Sequence, residues 1–314
     1  MSAQALWCTG SGTAEARLGQ MGEGVHVRTL YSGISRGTER LVLSGQVPVS
    51  EQDRMRAPFQ EGDFPFPVKY GYAAVGIATE GALRDRAVFA LFPHQTEFRL
   101  PQDALIPLPD GLPPERAVLA ANMETALNIL WDSGAGAGDR IAVVGGGLVG
   151  LLVASLAARL PGAEVTVIDT LPDRKALAKG LGCAFAHPDA APADQDAVIH
   201  TSATQAGLVL ALSLAAPQAT ITEASWHGGA QVALPLGGAF HSRRLRIVSS
   251  QVGTIPPDRA PRWTYRRRLT KALALLDDAR LDALISGQTG FADLPAAYPG
   301  ILADPATLCH RIHY

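Results

Sequence analysis

Residues 141–150 read Ile-Ala-Val-Val-Gly-Gly-Gly-Leu-Val-Gly, and Asp169 follows 19 residues after the last of them. No other stretch limits the fold as tightly. The apolar run Ile141–Val144 predicts a buried strand, Leu148 onward a helix, and Glu164–Ile168 a second strand ending on an acid. Each glycine then has its own job: Gly145 allows the turn, Gly147 lets backbone approach a pyrophosphate, and Gly150 lets helix and strand pack closely. The amides of Leu148 and Val149, at the start of the helix, supply oriented donors and partial positive charge for phosphates. Asp169, at the tip of the second strand, is placed to accept from a ribose diol and to repel a 2′-phosphate. A glycine turn alone is weak evidence. Strand, turn, helix, strand and acid at this spacing predict a dinucleotide site, with NAD(H) preferred to NADP(H).

The chain has 314 residues, 47% of them hydrophobic, and a formal net charge of −2. That length accommodates two cores, and the charge balance offers no footprint for nucleic acid. Arg262–Lys271, with Arg266, Arg267 and Arg268, is the one basic run and reads as the solvated face of a helix. No apolar stretch approaches the roughly 20 residues a bilayer span needs, and no signal-peptide pattern opens the chain. The expectation is a cytoplasmic protein without a membrane partner. Cys8, Cys183 and Cys309 are scattered, which predicts neither a disulfide framework nor a thiolate metal site.

The first part alternates short apolar stretches with Gly and Pro: 24–31, 72–78, 86–92 and 96–100 predict strands of a β-rich domain. Residues 115–131 show helical spacing after Pro113-Pro114. Beyond the glycine turn, strands and helices alternate. Residues 197–200 predict the third parallel strand, 207–214 a helix, 219–224 and 244–250 further strands, and 263–276 and 294–302 terminal helices. Such alternation requires a parallel sheet with right-handed crossovers. The fold class is α/β.

In its order of motifs the chain resembles the medium-chain dehydrogenase/reductase superfamily. The loop Tyr31-Ser32-Gly33-Ile34-Ser35-Arg36-Gly37-Thr38-Glu39 stands where that family has its first active-site loop. Gly71-Tyr72-Ala73-Ala74-Val75-Gly76 stands at its Gly-His-Glu turn, and Leu281–Ile285 resembles its return segment. The resemblance implies a GroES-like β-rich catalytic domain, residues 1–121 and 243–314, and a doubly wound Rossmann domain, residues 122–242. It also implies an oxidoreductase acting on a small molecule, and a homodimer is compatible with the apolar segment Leu234–Phe240. The family's catalytic zinc positions carry Ser35 or Arg36, Tyr72, Ala73 and the neighbourhood of Ala121-Asn122. That donor set does not suit Zn²⁺, and no two histidines stand at i, i+4. A zinc-independent member is expected, with no metal site. The loop and the Gly71-Tyr72 turn most resemble the bacteriochlorophyllide 3-hydroxyethyl dehydrogenase branch, which implies interconversion of a secondary alcohol and a ketone. The stretch Glu51–Pro67 resembles an inserted specificity loop, so the branch's substrate is not carried over.

Without metal, hydride chemistry needs a donor for the developing alkoxide and a proton relay. Thr38 aligns with the family's relay hydroxyl, and it requires a partner such as a ribose hydroxyl, His94 or water. Tyr72 is either an acid/base whose pKa a nearby ammonium, Lys69, lowers, or a filler of the volume that zinc occupies elsewhere, while Lys69 and Tyr70 also read as residues of structure or substrate contact. Glu39 either orients a neighbour or pairs with Arg36 or Arg40. Thr125 matches a position beside the nicotinamide, and Thr201-Ser202 should lie at the carboxyl edge of the sheet. Arg243 and Arg244 are open between a cofactor phosphate and a subunit interface. Two other classes remain: a quinone or enoyl reductase, and a catalytically silent nucleotide sensor.

Overall fold

The computed structural model describes residues 3–314. Two compact units are present: one holds the chain up to Ala121 together with Leu269–Tyr314, the other holds Asn122–Arg268.

The first unit opens with β1 (Gln4–Gly10), β2 (Thr13–Leu18), β3 (Val25–Ser35) and α1 (Arg36–Leu43). It continues through β4 (Glu61–Gly62), β5 (Val68–Lys69), β6 (Ala74–Ala78), β7 (Ala87–Ala90), β8 (Glu97–Leu100), β9 (Ile106–Pro107) and α2 (Pro114–Ala117). Along β3 alternate residues Val25, Val27 and Thr29 are buried, after which Ser32–Ser35 are buried on both faces. The period-two part packs Val25 and Val27 on Ala74, Val88, Phe98 and Leu105, with the rings of Phe92 and Phe98 stacked at 4.1 Å. The helix α1 starts directly from the fully buried part.

The second unit holds α3 (Ala120–Ser133), β10 (Arg140–Val144), α4 (Leu148–Ala157), β11 (Glu164–Ile168), α5 (Arg174–Gly180), β12 (Ala184–Ala186), β13 (Gln195–His200), α6 (Gln205–Leu214), β14 (Ala215–Glu223) and β15 (Arg246–Ser249). Its parallel sheet runs β12-β11-β10-β13-β14-β15, the doubly wound order that reverses at the first strand. The chain then passes through α7 (Tyr265–Leu275) into β16 (Ile285–Gly290), α8 (Leu294–Ala303) and β17 (Cys309–His313). In the first unit β17 pairs with β3, so the large sheet is closed by the last residues of the chain.

Four sequence expectations need correction. The helix predicted over 115–131 is two helices, α2 and α3, because helical spacing of apolar residues continues across the fully buried break at Val118-Leu119. The strand at 197–200 is the fourth of its sheet, since three-residue β12 carries too little pattern to be read. Residues 243–268 belong with the nucleotide-type unit rather than the first domain, because β15 pairs in register with β14 (Ile221 opposite Ile247). Arg268 is no solvated residue: it is 2% exposed and its guanidinium binds Glu124 at 3.0 Å and Asn128. All three cysteines are buried and none forms a disulfide. No helix among the described residues is long and apolar enough to cross a membrane.

Candidate functional site

In the second unit the glycine turn follows β10 directly. Gly145 has φ +111°, and a Cβ there would stand 2.7 Å from the Ser202 amide nitrogen, so only glycine fits. A Cβ on Gly150 would meet the Gly145 carbonyl oxygen and the Thr201 hydroxyl at 2.6 Å. Gly147 differs. It precedes α4, and a Cβ there would have no protein atom within 4 Å. Gly145 and Gly150 are thus glycines for protein packing, whereas Gly147 opens onto free space at the N-terminus of a ten-residue helix. Backbone amides of Leu148 and Val149 begin that helix, where anions are favoured.

Asp169 closes the other side of the turn. Its Oδ2 accepts from the Gly146 amide at 2.6 Å and its Oδ1 from the Leu171 amide at 2.8 Å. Each carboxylate oxygen keeps a lone pair for a further donor. Thr201 donates to the Gly145 carbonyl at 2.9 Å, and so ties β13 to the turn. The Ser202 hydroxyl lies between His200 Nε2 (2.7 Å) and Thr204 (2.9 Å). Thr125 lies half-buried on α3. Arg243 donates to the Ala215 carbonyl and faces Asp194, at the amino ends of the strands and away from their carboxyl edge; it holds the sheet rather than a cofactor phosphate.

In the first unit a polar network is buried beneath the loop read from the sequence. Glu39 is fully buried, and its Oε1 accepts from the Ser35 amide at 2.7 Å, fixing the first turn of α1. Its Oε2 accepts from Tyr298 Oη at 2.6 Å and from His94 Nε2 at 3.0 Å. His94 Nδ1 meets the Ser32 hydroxyl at 2.8 Å, which in turn meets Tyr314 Oη at 2.8 Å. Of the two readings of Glu39, the pairing with Arg36 or Arg40 does not form: Arg36 donates to the Leu302 carbonyl, and Arg40 is exposed. Gly71 has φ +110° and would drive a Cβ to 2.8 Å from the His94 ring, which explains the glycine ahead of Tyr72.

Tyr72 and Thr38 do come together, since the phenol hydrogen-bonds with Thr38 and Ser35. Its pKa is pushed up to about 12, first by burial and then by the Glu39 charge, against the smaller opposite effect of the two hydrogen bonds. The expectation that Lys69 lowers it fails. The Lys69 ammonium is fully buried, binds Glu61 and Gln95 Oε1, and lies 5.0 Å from the Phe92 ring centroid. Burial lowers the pKa of Lys69 itself, with Glu61 opposing. Three residues of sequence separation put the two side chains on different business.

A third constellation was not read from the sequence. His200 and Glu223 end adjacent parallel strands in register, and His227 follows four residues after Glu223. His200 Nδ1 lies 2.6 Å from Glu223 Oε2, and His227 Nε2 lies 3.6 Å from that same oxygen. Burial raises the Glu223 pKa, but the His200 contacts and the Ser225 bonds outweigh it and hold the carboxyl below its ordinary value. The signal in the sequence was the Glu223-x-x-x-His227 spacing right after an apolar strand.

No protein-family model matches the sequence. Similar solved structures include L-idonate 5-dehydrogenase from Escherichia coli K-12 MG1655, at 14% identity and TM-score 0.78, covering 100% of this chain and 99% of that one. The alcohol dehydrogenase rspB from E. coli CFT073, complexed with NADH, is 14% identical with TM-score 0.79 and full coverage of both chains. TarJ from Staphylococcus aureus, complexed with NADPH, is 14% identical with TM-score 0.77, covering 100% and 99%. Zinc-binding dehydrogenases are also among the similar structures. The chain has the fold of medium-chain dehydrogenases, a GroES-like β-rich domain and a Rossmann domain.

Proposed function

We propose that this chain is an NAD(H)-dependent, alcohol dehydrogenase-like oxidoreductase that interconverts a secondary alcohol and a ketone on a small molecule. The observation that carries the reading is the glycine turn: Gly147 opens onto free space at a helix N-terminus while Asp169 stands at the turn beside it. The residues fit the cofactor. Leu148 and Val149 amides would hold its pyrophosphate and Asp169 its ribose, in the roles such turns serve. When bound, the nicotinamide supplies or accepts the hydride.

The residues at the family's zinc positions do not fit that metal. Ser35, Tyr72, Ala73 and Asn122 offer neither thiolate nor imidazole, and the Tyr72 phenol is engaged with Ser35 and Thr38. We assign the polarising task to hydroxyls instead. With its pKa raised to about 12, Tyr72 keeps its proton at neutral pH and acts as a hydrogen-bond donor to the substrate oxygen. Ser35 holds the phenol in place; in oxidation the substrate hydroxyl gives its proton to Tyr72 as Tyr72 gives its own to Thr38, and half-buried Thr38 releases one to bulk water. Buried Glu39 and His94 act one layer behind, by fixing the turn of α1 that presents Thr38. Fold alone does not guarantee activity. The test is a screen of secondary alcohols with NAD⁺ on metal-analysed protein, followed by Thr38→Ala and Tyr72→Phe. Each variant should lower kcat by about 100-fold, the lower end for a group that manages a proton. Full rates in both would end the hydroxyl assignment.

A further inference from the structure

We propose that His200, Glu223 and His227 form a binding site for one divalent first-row transition ion, zinc in the first instance. This site is separate from the positions where the fold family carries its catalytic metal, and the inference does not depend on the reading of function above.

The donor set is two imidazoles and a carboxylate, from three points that the fold brings together. β13 and β14 pair in parallel with His200 opposite Glu223, so both side chains leave the carboxyl edge of the sheet side by side. The chain then turns through Ala224-Ser225-Trp226 and returns His227 over them, its ring stacked on that of His200 with centroids 6.1 Å apart. The three donor atoms lie within 4.8 Å of one another. In a tetrahedral zinc site with metal–ligand distances of about 2.0–2.2 Å, donors stand roughly 3.3–3.5 Å apart. His227 Nε2 and Glu223 Oε2, at 3.6 Å, are already near that spacing. His200 Nδ1, at 2.6 Å from the same oxygen, needs to withdraw by less than about 1 Å, exchanging a hydrogen bond for a metal bond.

Two further observations point to a ligand. His227 Nε2 is buried yet has no hydrogen-bond partner, although it faces a carboxylate. A buried polar atom left so is costly unless something else satisfies it. The far nitrogen of His200 is held by the Ser202 hydroxyl at 2.7 Å, and Ser202 by Thr204 at 2.9 Å. That is the outer-layer support that orients a ligating imidazole and fixes which nitrogen faces the metal. The set also defines the class of ion. Imidazole donors disfavour Ca²⁺ and Mg²⁺, which take oxygen ligands, and suit Zn²⁺, Co²⁺ or Fe²⁺. Three protein ligands leave a fourth position open.

The probes are Co²⁺ and Zn²⁺ added to chelator-treated full-length protein. One equivalent of Co²⁺ should produce a saturable visible ligand-field absorption, which one equivalent of Zn²⁺ displaces, and Zn²⁺ should raise the Tm. His227→Ala lies in a loop and should retain the fold while weakening Co²⁺ affinity at least tenfold and removing the Tm rise. Glu223→Gln keeps an acceptor for His200 and removes the charge, so it should bind Co²⁺ at least tenfold more weakly with an unchanged Tm in the absence of metal. A cluster that only pairs side chains would tolerate Gln and bind no cobalt. Absence of saturable binding, or equal binding by wild type and His227→Ala, overturns the proposal.

Discussion

Glu39 carries three hydrogen bonds without any exposure to water: from the Ser35 amide, Tyr298 and His94. Glu39→Ala strands all three partners in the interior. Removing one member of a buried charged set costs about 3–5 kcal/mol. Urea unfolding should therefore show an unfolding free energy lowered by that amount, seen as a lower midpoint at unchanged slope. Tyr72 yields a pH prediction. Its phenol moves from an ordinary value of 10.0 to about 12 because the fold favours the neutral form. The stability this contributes is complete below pH 10 and is lost as pH rises toward 12. Difference absorbance between wild type and Tyr72→Phe should thus show no phenolate signal from Tyr72 below pH 10 while the protein stays folded; a signal near pH 8 would restore the discarded idea of an ammonium-activated phenol. At this scale the sequence was half legible. The proximity of Thr38 and Tyr72 was legible because their positions in a known motif order place them together, whereas their roles belong to the proposal. Activation of Tyr72 by Lys69 was the reading that failed, because nearness in sequence is not nearness in space: on β5 Lys69 faces Glu61, across a strand pair that no local pattern announces. The burial of Glu39 was equally hidden, since its partners His94 and Tyr298 are 55 and 259 residues away.

The β10–turn–α4–β11 unit was legible in full, because its glycines and apolar runs are local signals tied to local geometry. Its tightest joint is Gly150, where an added Cβ would press on the Gly145 carbonyl. That contact is with backbone and does not yield cheaply. Gly150→Ala should destabilise the protein by about 1–3 kcal/mol, the usual cost of overpacking, and weaken NADH binding by displacing the turn. Calorimetric melting with and without NADH checks both; an unaltered affinity would show that the turn is not the cofactor cradle. Other elements escaped because their identity depends on pairing. The strand β15 reads the same whether it closes the parallel sheet or returns to the β-rich unit, and only its register against β14 decides. Arg268 was likewise lost in a basic run, though the buried Glu124 and Asn128 of α3 claim it.

At the scale of the molecule, the two units carry different parts of the proposed chemistry. The Rossmann unit offers the open glycine turn with Asp169, and the β-rich unit offers hydroxyls on a buried acid–imidazole support. The order of motifs along the chain made the two-domain fold class legible, and identities of 14% to the similar dehydrogenases carry the fold but leave the cofactor choice to the residues themselves. That choice rests on Asp169, whose carboxylate suits a ribose diol and opposes a 2′-phosphate. The most direct measurement is fluorescence titration of the purified protein with NADH and, separately, NADPH, repeated on Asp169→Ser. The account predicts saturable binding with NADH preferred about tenfold or more, and a shift toward NADPH in the variant, as expected when about 1.4 kcal/mol of discrimination rests on one charge. Preference for NADPH in the wild type, or no binding of either nucleotide, would contradict it.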